Sequence, residues 1–245
     1  MNKNEIFTHY ASILDKMLDS SNWFRVYFQQ PWSFSVRIDK EDAEELPDNI
    51  SVDCGATRGC IIDNEYDWVV KYDIEEDYDY GSACSREVDI YEAAKEQNLD
   101  EYFTPAIYLG TYKRVINYYP YEYITREIDL YDYDENQIIE FINNNMNADQ
   151  MISITIYLPL YAYRRARFNF HAVSDKSRRQ VKTLSGPLTY NLTVGSIFLD
   201  CYGTDEWDTL NDFLSEWDVN DLHQANIGII NDKVCLIDFA GYHDC

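Results

Sequence analysis

The stretch DLHQANIGIINDKVCLIDFAGY, Asp221 to Tyr242, decides how the rest of the chain is read. Asp221 and Asn226 have the spacing at which a carboxylate takes a hydroxyl proton while an amide oxygen holds a metal. IGIINDKVCLI, which follows, predicts a small hairpin turning at Asn231 and Asp232. Such a hairpin returns Asp238 to the neighbourhood of Asn226, so three polar groups converge from two segments. Asp and Asn also serve routinely as helix caps and turn residues. The pair therefore gains meaning only from what precedes it along the chain.

Phosphoryl transfer from a nucleotide needs phosphates held in line, charge neutralised and a hydroxyl oriented beside a base. A glycine turn lets backbone amides approach phosphate oxygens, a lysine on the adjoining strand reaches them, and a helix glutamate fixes that lysine. Across the cleft, one Asp acts as base while an Asn and a second Asp hold metal. These types occur here in that chain order. Gly55 and Gly59 lie in ISVDCGATRGCIID, Lys71 in DWVVKYDI, and Glu87 in SREVDIYEAA, with Glu92 as an alternative. Asp221, Asn226 and Asp238 then follow.

On these residues the chain resembles the protein kinase-like superfamily. DLHQANIG followed by LIDFAGY looks more like aminoglycoside-phosphotransferase relatives and short phage kinase-like proteins than like ordinary eukaryotic kinases, and the likeness covers roughly residues 50 to 242. It implies an α+β, two-lobed fold with an antiparallel β N-lobe and a reduced, atypical, mainly helical C-lobe. Residues 1–49 form an extension, 50–123 the N-lobe, and 124–245 the C-lobe with an insertion at about 126–205. It also implies ATP and Mg²⁺ as cofactors. Lys71 goes to the phosphates and Glu87 to Lys71, Asp221 is the base, and Asn226 and Asp238 bind magnesium. Gly55, Arg58 and Gly59 border the nucleotide, and Glu122, Tyr123 and Ile124 form the hinge that receives adenine. Two positions depart from the family pattern: Val219 stands where a His is usual, and Gly241 comes one place late. The segment ends at Cys245, so the section at about 126–205 is expected to cover the underside of the C-lobe.

The surroundings limit the partners. A net charge of −24, from 44 acidic and 20 basic residues, repels nucleic acid and anionic membranes. A basic protein or a divalent metal suits that field. No apolar run spans a bilayer and MNKNEIFTHY lacks a secretion-signal pattern, so the chain reads as cytoplasmic. Its six cysteines show no CxxC rhythm and read as reduced thiols.

Periodicity supplies the remaining elements. Ile6, Tyr10, Ile13, Leu14, Met17 and Leu18 predict a helix from Glu5 to Leu18. WFRVYFQQPWSFSVRI reads as strand broken at Pro31, and residues 50–73 as three antiparallel strands. Asp73, Glu75, Glu76, Asp77 and Asp79 read as a solvated loop before a helix through Val88, Tyr91 and Ala94. TPAIYLGTY and RVINYYPYEYIT are expected to be two separate strands, and DENQIIEFINNNM a helix. MISITIYLPLYAY fits strand or buried helix, and EWDTLNDFLSEW is an amphipathic helix. Arg164 to Lys182 holds a basic island, read either as an exposed loop or as a contact for an anionic substrate or partner.

Three functions fit these residues. The first is an ATP- and magnesium-dependent phosphotransferase, a minimal mobile-element-type protein kinase acting on Ser or Thr hydroxyls. The second is a pseudokinase-like acidic binding or inhibitor protein engaging a basic host protein. The third is a small-molecule phosphotransferase.

Overall fold

Alternation at residues 58–73 is strict: Gly59, Ile61 and Asp63 are buried and alternate with half-buried Arg58, Cys60 and Ile62, while Val70 and Tyr72 do the same around Lys71. A period of two builds strands with two distinct faces. In the computed structural model, which describes residues 2–19, 24–29, 33–38, 46–54, 58–73, 82–118, 152–166, 187–220, 222 and 226–240, these strands start a five-stranded sheet. β1 (Phe24–Gln29) and β2 (Ser33–Ile38) form a separate antiparallel pair. β3 (Ile50–Cys54), β4 (Arg58–Asp63), β5 (Trp68–Asp73), β6 (Ala106–Tyr118) and β7 (Ile152–Arg164) follow. The sheet order is β3-β4-β5-β7-β6 and every pairing is antiparallel. The protein is thus α+β.

The two faces carry different partners. Ile61, Val70, Tyr72, Leu160 and Ala162 pack with Ile6, Tyr10, Leu14 and Met17 of α1 (Lys3–Asp19). The opposite face presents Arg58, Lys71, Tyr161 and Tyr163 towards α2 (Ala83–Glu96) and the C-terminal elements. Removing α1 would uncover a whole apolar face, which at roughly 25 cal/mol per Å² is a cost no small sheet sustains. The N-terminal extension is therefore structurally part of this layer, and a boundary at residue 49 does not separate it.

α1 is also pinned by a buried carboxylate. Asp63 is 1% exposed and bonds His9 Nε2 at 2.9 Å, the Asn49 amide at 2.9 Å and the Glu65 N–H at 2.9 Å. Burial alone would raise its pKa, but these partners bring it below the ordinary value. The Tyr10 hydroxyl adds a bond to the Trp68 carbonyl.

One expectation is corrected and one open alternative is decided. TPAIYLGTY and RVINYYPYEYIT do not form two strands; residues 106–118 are the single strand β6, irregular only between Tyr108 and Gly110. Lys113 and Arg114 lie within the strand, and Arg114 Nη1 donates to the Asp15 carbonyl at 2.7 Å. MISITIYLPLYAY is strand β7, lying between β5 and β6. A boundary at residue 123 therefore cuts the sheet, because β7 completes it from the far side. Residues 119–150, which include the expected helix DENQIIEFINNNM, lie outside the described residues.

A second core forms under α2. α3 (Pro187–Tyr202), α4 (Thr204–Glu216) and the hairpin of β8 (Ile227–Ile230) with β9 (Lys233–Leu236) meet there. Ile197, Phe198, Leu210, Phe213, Leu236 and Phe239 are its buried side chains. The end of the section expected to supply support, α3, thus lies against the hairpin, where the Tyr202 hydroxyl donates to the Val234 carbonyl. No helix among the described residues is long and apolar enough to cross a membrane.

Replacing Asp63 by Ala leaves the Asn49 amide and Glu65 N–H without their acceptor, and should cost about 2–4 kcal/mol. Urea unfolding of Asp63→Ala measures this. Glu92→Ala, which breaks only an exposed pair with Lys95, should change stability by less than about 1 kcal/mol.

Candidate functional site

The site begins where β5 hands the chain to α2. Ser82 caps α2 by accepting the Ser85 N–H at 2.9 Å, which satisfies one of the helix's unpaired donors. Asp73, the last residue of β5, accepts the Cys84 N–H at 3.1 Å and the Ser82 hydroxyl. Strand and helix are thereby locked together. The acidic run is not wholly a solvated loop, since its first member is the tether of α2. Lys71 then projects from β5 towards Glu87 of α2, with Nζ 3.4 Å from Oε2. Arg58 stands opposite Asp73 in the β4–β5 ladder and reaches the same carboxylate, Nη1 to Glu87 Oε1 at 2.9 Å.

The hairpin brings the fourth group. Asn231 and Asp232 take φ of 50° and 63°, the paired positive values of a type I′ turn that suits a two-residue hairpin loop. Pairing of Ile227 with Leu236 and a bond from the Ile237 N–H to the Asn226 carbonyl at 3.0 Å set Asn226 beside Asp238. Thr104, buried and placed between sheet and hairpin, donates its N–H to the Leu236 carbonyl at 2.7 Å and its hydroxyl to the Arg164 carbonyl at 2.8 Å. The backbone around Asp238 is held from above as well. Lys71 Nζ donates to the Ile237 carbonyl at 3.2 Å, and the Phe239 N–H donates to Glu87 Oε1 at 2.8 Å. Asp238 Oδ1 accepts from Arg58 Nη2 and lies 3.8 Å from Lys71 Nζ.

Two cations and two carboxylates thus meet in a largely buried quartet. Glu87 is fully buried, and burial alone would raise its pKa; Lys71 and Arg58 overcome that and hold it at about 2. Asp238 goes the other way, to about 6, because its carboxylate is recessed and shares the space with ionised Glu87, although 38% of the whole side chain is open. Two close carboxylates separate their titrations in this manner. Lys71 loses to burial but is carried above its usual pKa by Glu87 and Asp238. Its ammonium lies 4.4 Å from the Tyr163 ring centroid, a cation–π contact.

Among the sequence-predicted residues, Arg58, Lys71, Glu87 and Asp238 come together, with Asn226 across the ladder. Glu92 is exposed and pairs with Lys95. Gly55, Asp221 and residues 122–124 lie outside the described residues. Gly59 is corrected: it sits within β4, not in a turn, and a Cβ there would come within 2.2 Å of the Tyr72 ring. Its smallness accommodates Tyr72 on the α1 face. β6 is the edge strand, so the strand beside Lys71 is β7, and the chain leaves it at 165–166, where Ala166 packs against Gly228. Three contributors carried no signal of their own: Thr104, Tyr163 and Arg86. Arg86 Nη2 donates to the carbonyl of Trp217 at 2.7 Å, tying α2 to the segment that runs into DLHQANIG.

No protein-family model matches this chain, and no curated protein does.

Two outcomes follow from this geometry. Glu87 has a folded pKa below its unfolded one, so its stabilisation is complete above about pH 4.5 and is lost as pH falls towards about 2. The stability gap between the protein and Glu87→Gln should therefore be about 3 kcal/mol near neutrality and shrink on acidification; chemical unfolding at a series of pH values reads it. Gly59→Ala should cost about 1–3 kcal/mol through overpacking on Tyr72, a shift that thermal unfolding of the nucleotide-free protein detects.

Proposed function

We propose that the chain is an ATP- and magnesium-dependent phosphotransferase of protein kinase-like fold that acts on Ser or Thr hydroxyls of a protein. The observation that carries this reading is the Lys71–Glu87 ion pair between strand and helix, with the Asp238 carboxylate 3.8 Å from the same ammonium. A strand lysine paired with a helix glutamate, beside a metal-binding Asp, is the arrangement that kinase chemistry requires. Counted from Ile50, Lys71 lies on the third strand of the sheet and Glu87 on the helix that follows.

Each side chain has a task in this reading. Lys71 binds the nucleotide phosphates, and Glu87 keeps its ammonium aimed into the cleft. Asn226 and Asp238 fit a hard cation: they offer oxygen donors from adjacent strand ends, and Oδ1 of Asp238 already draws both Arg58 and Lys71. Bound magnesium supplies charge neutralisation at the phosphates. Asp221 accepts the hydroxyl proton of the substrate. The base of the nucleotide lies against the backbone at 164–166, beside the Ala166–Gly228 contact. The acidic exterior favours a protein substrate with basic surroundings.

A second reading keeps nucleotide-free binding of a basic partner as the function. The observation favouring it is the bond from Arg58 to Asp238, which engages the metal carboxylate internally.

A ligand that binds only the folded state raises its stability, by about 2.7 kcal/mol at a hundredfold excess over Kd. Mg-ATP should raise the melting temperature by roughly 5–10 °C, and Lys71→Met should abolish the shift. Asp221→Ala should retain the shift but lose transfer of labelled phosphate to itself or to lysate protein. Absence of a shift in the unmodified protein would contradict the proposal and leave the second reading.

A further inference from the structure

We propose that Arg58 is a built-in counter-cation: it covers Asp238 in the nucleotide-free protein, so that a divalent cation enters only together with a nucleotide. This rests on the reading of the quartet as a magnesium-nucleotide site and adds the order in which its ligands arrive.

The geometry is specific. One guanidinium spans two carboxylates, Nη1 at Glu87 Oε1 and Nη2 at Asp238 Oδ1. Arg58 is the first residue of β4 and Asp238 follows β9, so the link joins the sheet to the hairpin across the cleft. Its side chain is 18% exposed, which places the pair where solvent screens little. Nη2 donates a hydrogen bond to Asp238, while Nη1 meets Glu87 by charge alone; a lysine ammonium does not reproduce that pairing. Burial opposes the charge on Arg58, and Glu87 with Asp238 outweighs that, so it stays protonated at any working pH.

Charge then sets the order of binding. Lys71 and Arg58 balance Glu87 and Asp238, so the quartet is neutral as it stands. A dication arriving alone must displace a guanidinium from Asp238 and leave excess positive charge in a recessed site, which is unfavourable. A polyphosphate removes both objections. It brings its own negative charge, and its oxygens accept the guanidinium fork with the geometry that arginine prefers. Arg58 moves from Asp238 to the phosphates, and Asp238 turns to the cation. Nucleotide and metal therefore bind with positive coupling, and coupling of this kind is reciprocal.

The test is a titration of the full chain with Mn²⁺ as the probe, free metal being followed by electron paramagnetic resonance, with and without a non-hydrolysable ATP analogue. Without nucleotide, Arg58→Gln should bind Mn²⁺ roughly tenfold to hundredfold more tightly than the unmodified protein, the range expected for releasing a charged hydrogen bond. The enhancement of Mn²⁺ affinity by the analogue should fall by the same factor. Arg58→Lys, which keeps the charge and loses the fork, should show a smaller gain and serves if the Gln variant does not fold, circular dichroism deciding that point. If the analogue promotes Mn²⁺ binding but neither variant gains affinity for Mn²⁺ alone, Arg58 is no counter-cation, although the nucleotide reading stands. If Mn²⁺ and the analogue fail to bind together to any of the proteins, both the proposal and that reading fall.

Discussion

A carboxylate with no solvent exposure must find its compensation inside the protein, and Glu87 finds it in three different elements. Lys71 comes from β5, Arg58 from β4, and the Phe239 N–H from the segment after β9. An uncompensated charge in that position would cost several kcal/mol. Sheet, helix and hairpin are therefore held in mutual register by one side chain, and Asp238 is set beside Lys71 as a consequence. The same bonds that stabilise the junction build the site.

Everything around Glu87 serves to keep α2 where it is. Asp73 and Ser82 fasten its N-terminus to β5, Arg86 fastens its next turn to the end of α4, and Ile90 and Ala94 bury its inner face in the second core. On the other side of the sheet, α1 closes the apolar face and Asp63 secures it through His9. The sheet thus packs one face on α1 and turns Arg58 and Lys71 from the other towards Glu87, and the alternation along β4 and β5 assigns each residue to its face.

That alternation is why much of the site could be read before any coordinates. Lys71, Glu87 and Asp238 sit in segments whose pattern or turn residues are locally decisive: a strand of period two, a capped helix, and a hairpin with Asn231 and Asp232 at its tip. β7 alternates only in part: Ile156, Leu158 and Leu160 are buried around exposed Tyr157, but from Leu160 through Tyr161, Ala162 and Tyr163 every residue is buried, which leaves strand and buried helix both open. A central strand covered on both faces loses its periodicity. Which strand lies next to β5 is fixed by long-range pairing, and no local pattern reveals that β7 takes this place. Gly59 is ambiguous in sequence for a different reason: glycine serves close backbone approach and close side-chain approach equally well, and only the Tyr72 ring distinguishes them. Arg58 and Thr104 act through partners far away in sequence, Asp238 and Leu236, which no local pattern reveals.

The central claim is that the Lys71 ammonium faces nucleotide phosphates. An acyl-phosphate derivative of ATP tests it directly, because it acylates an amine held next to its phosphate chain, and mass spectrometry then identifies the modified lysine. The account predicts dominant labelling at Lys71, suppressed by excess Mg-ATP. Labelling spread over exposed lysines such as Lys95 and Lys233, unaffected by ATP, would contradict it.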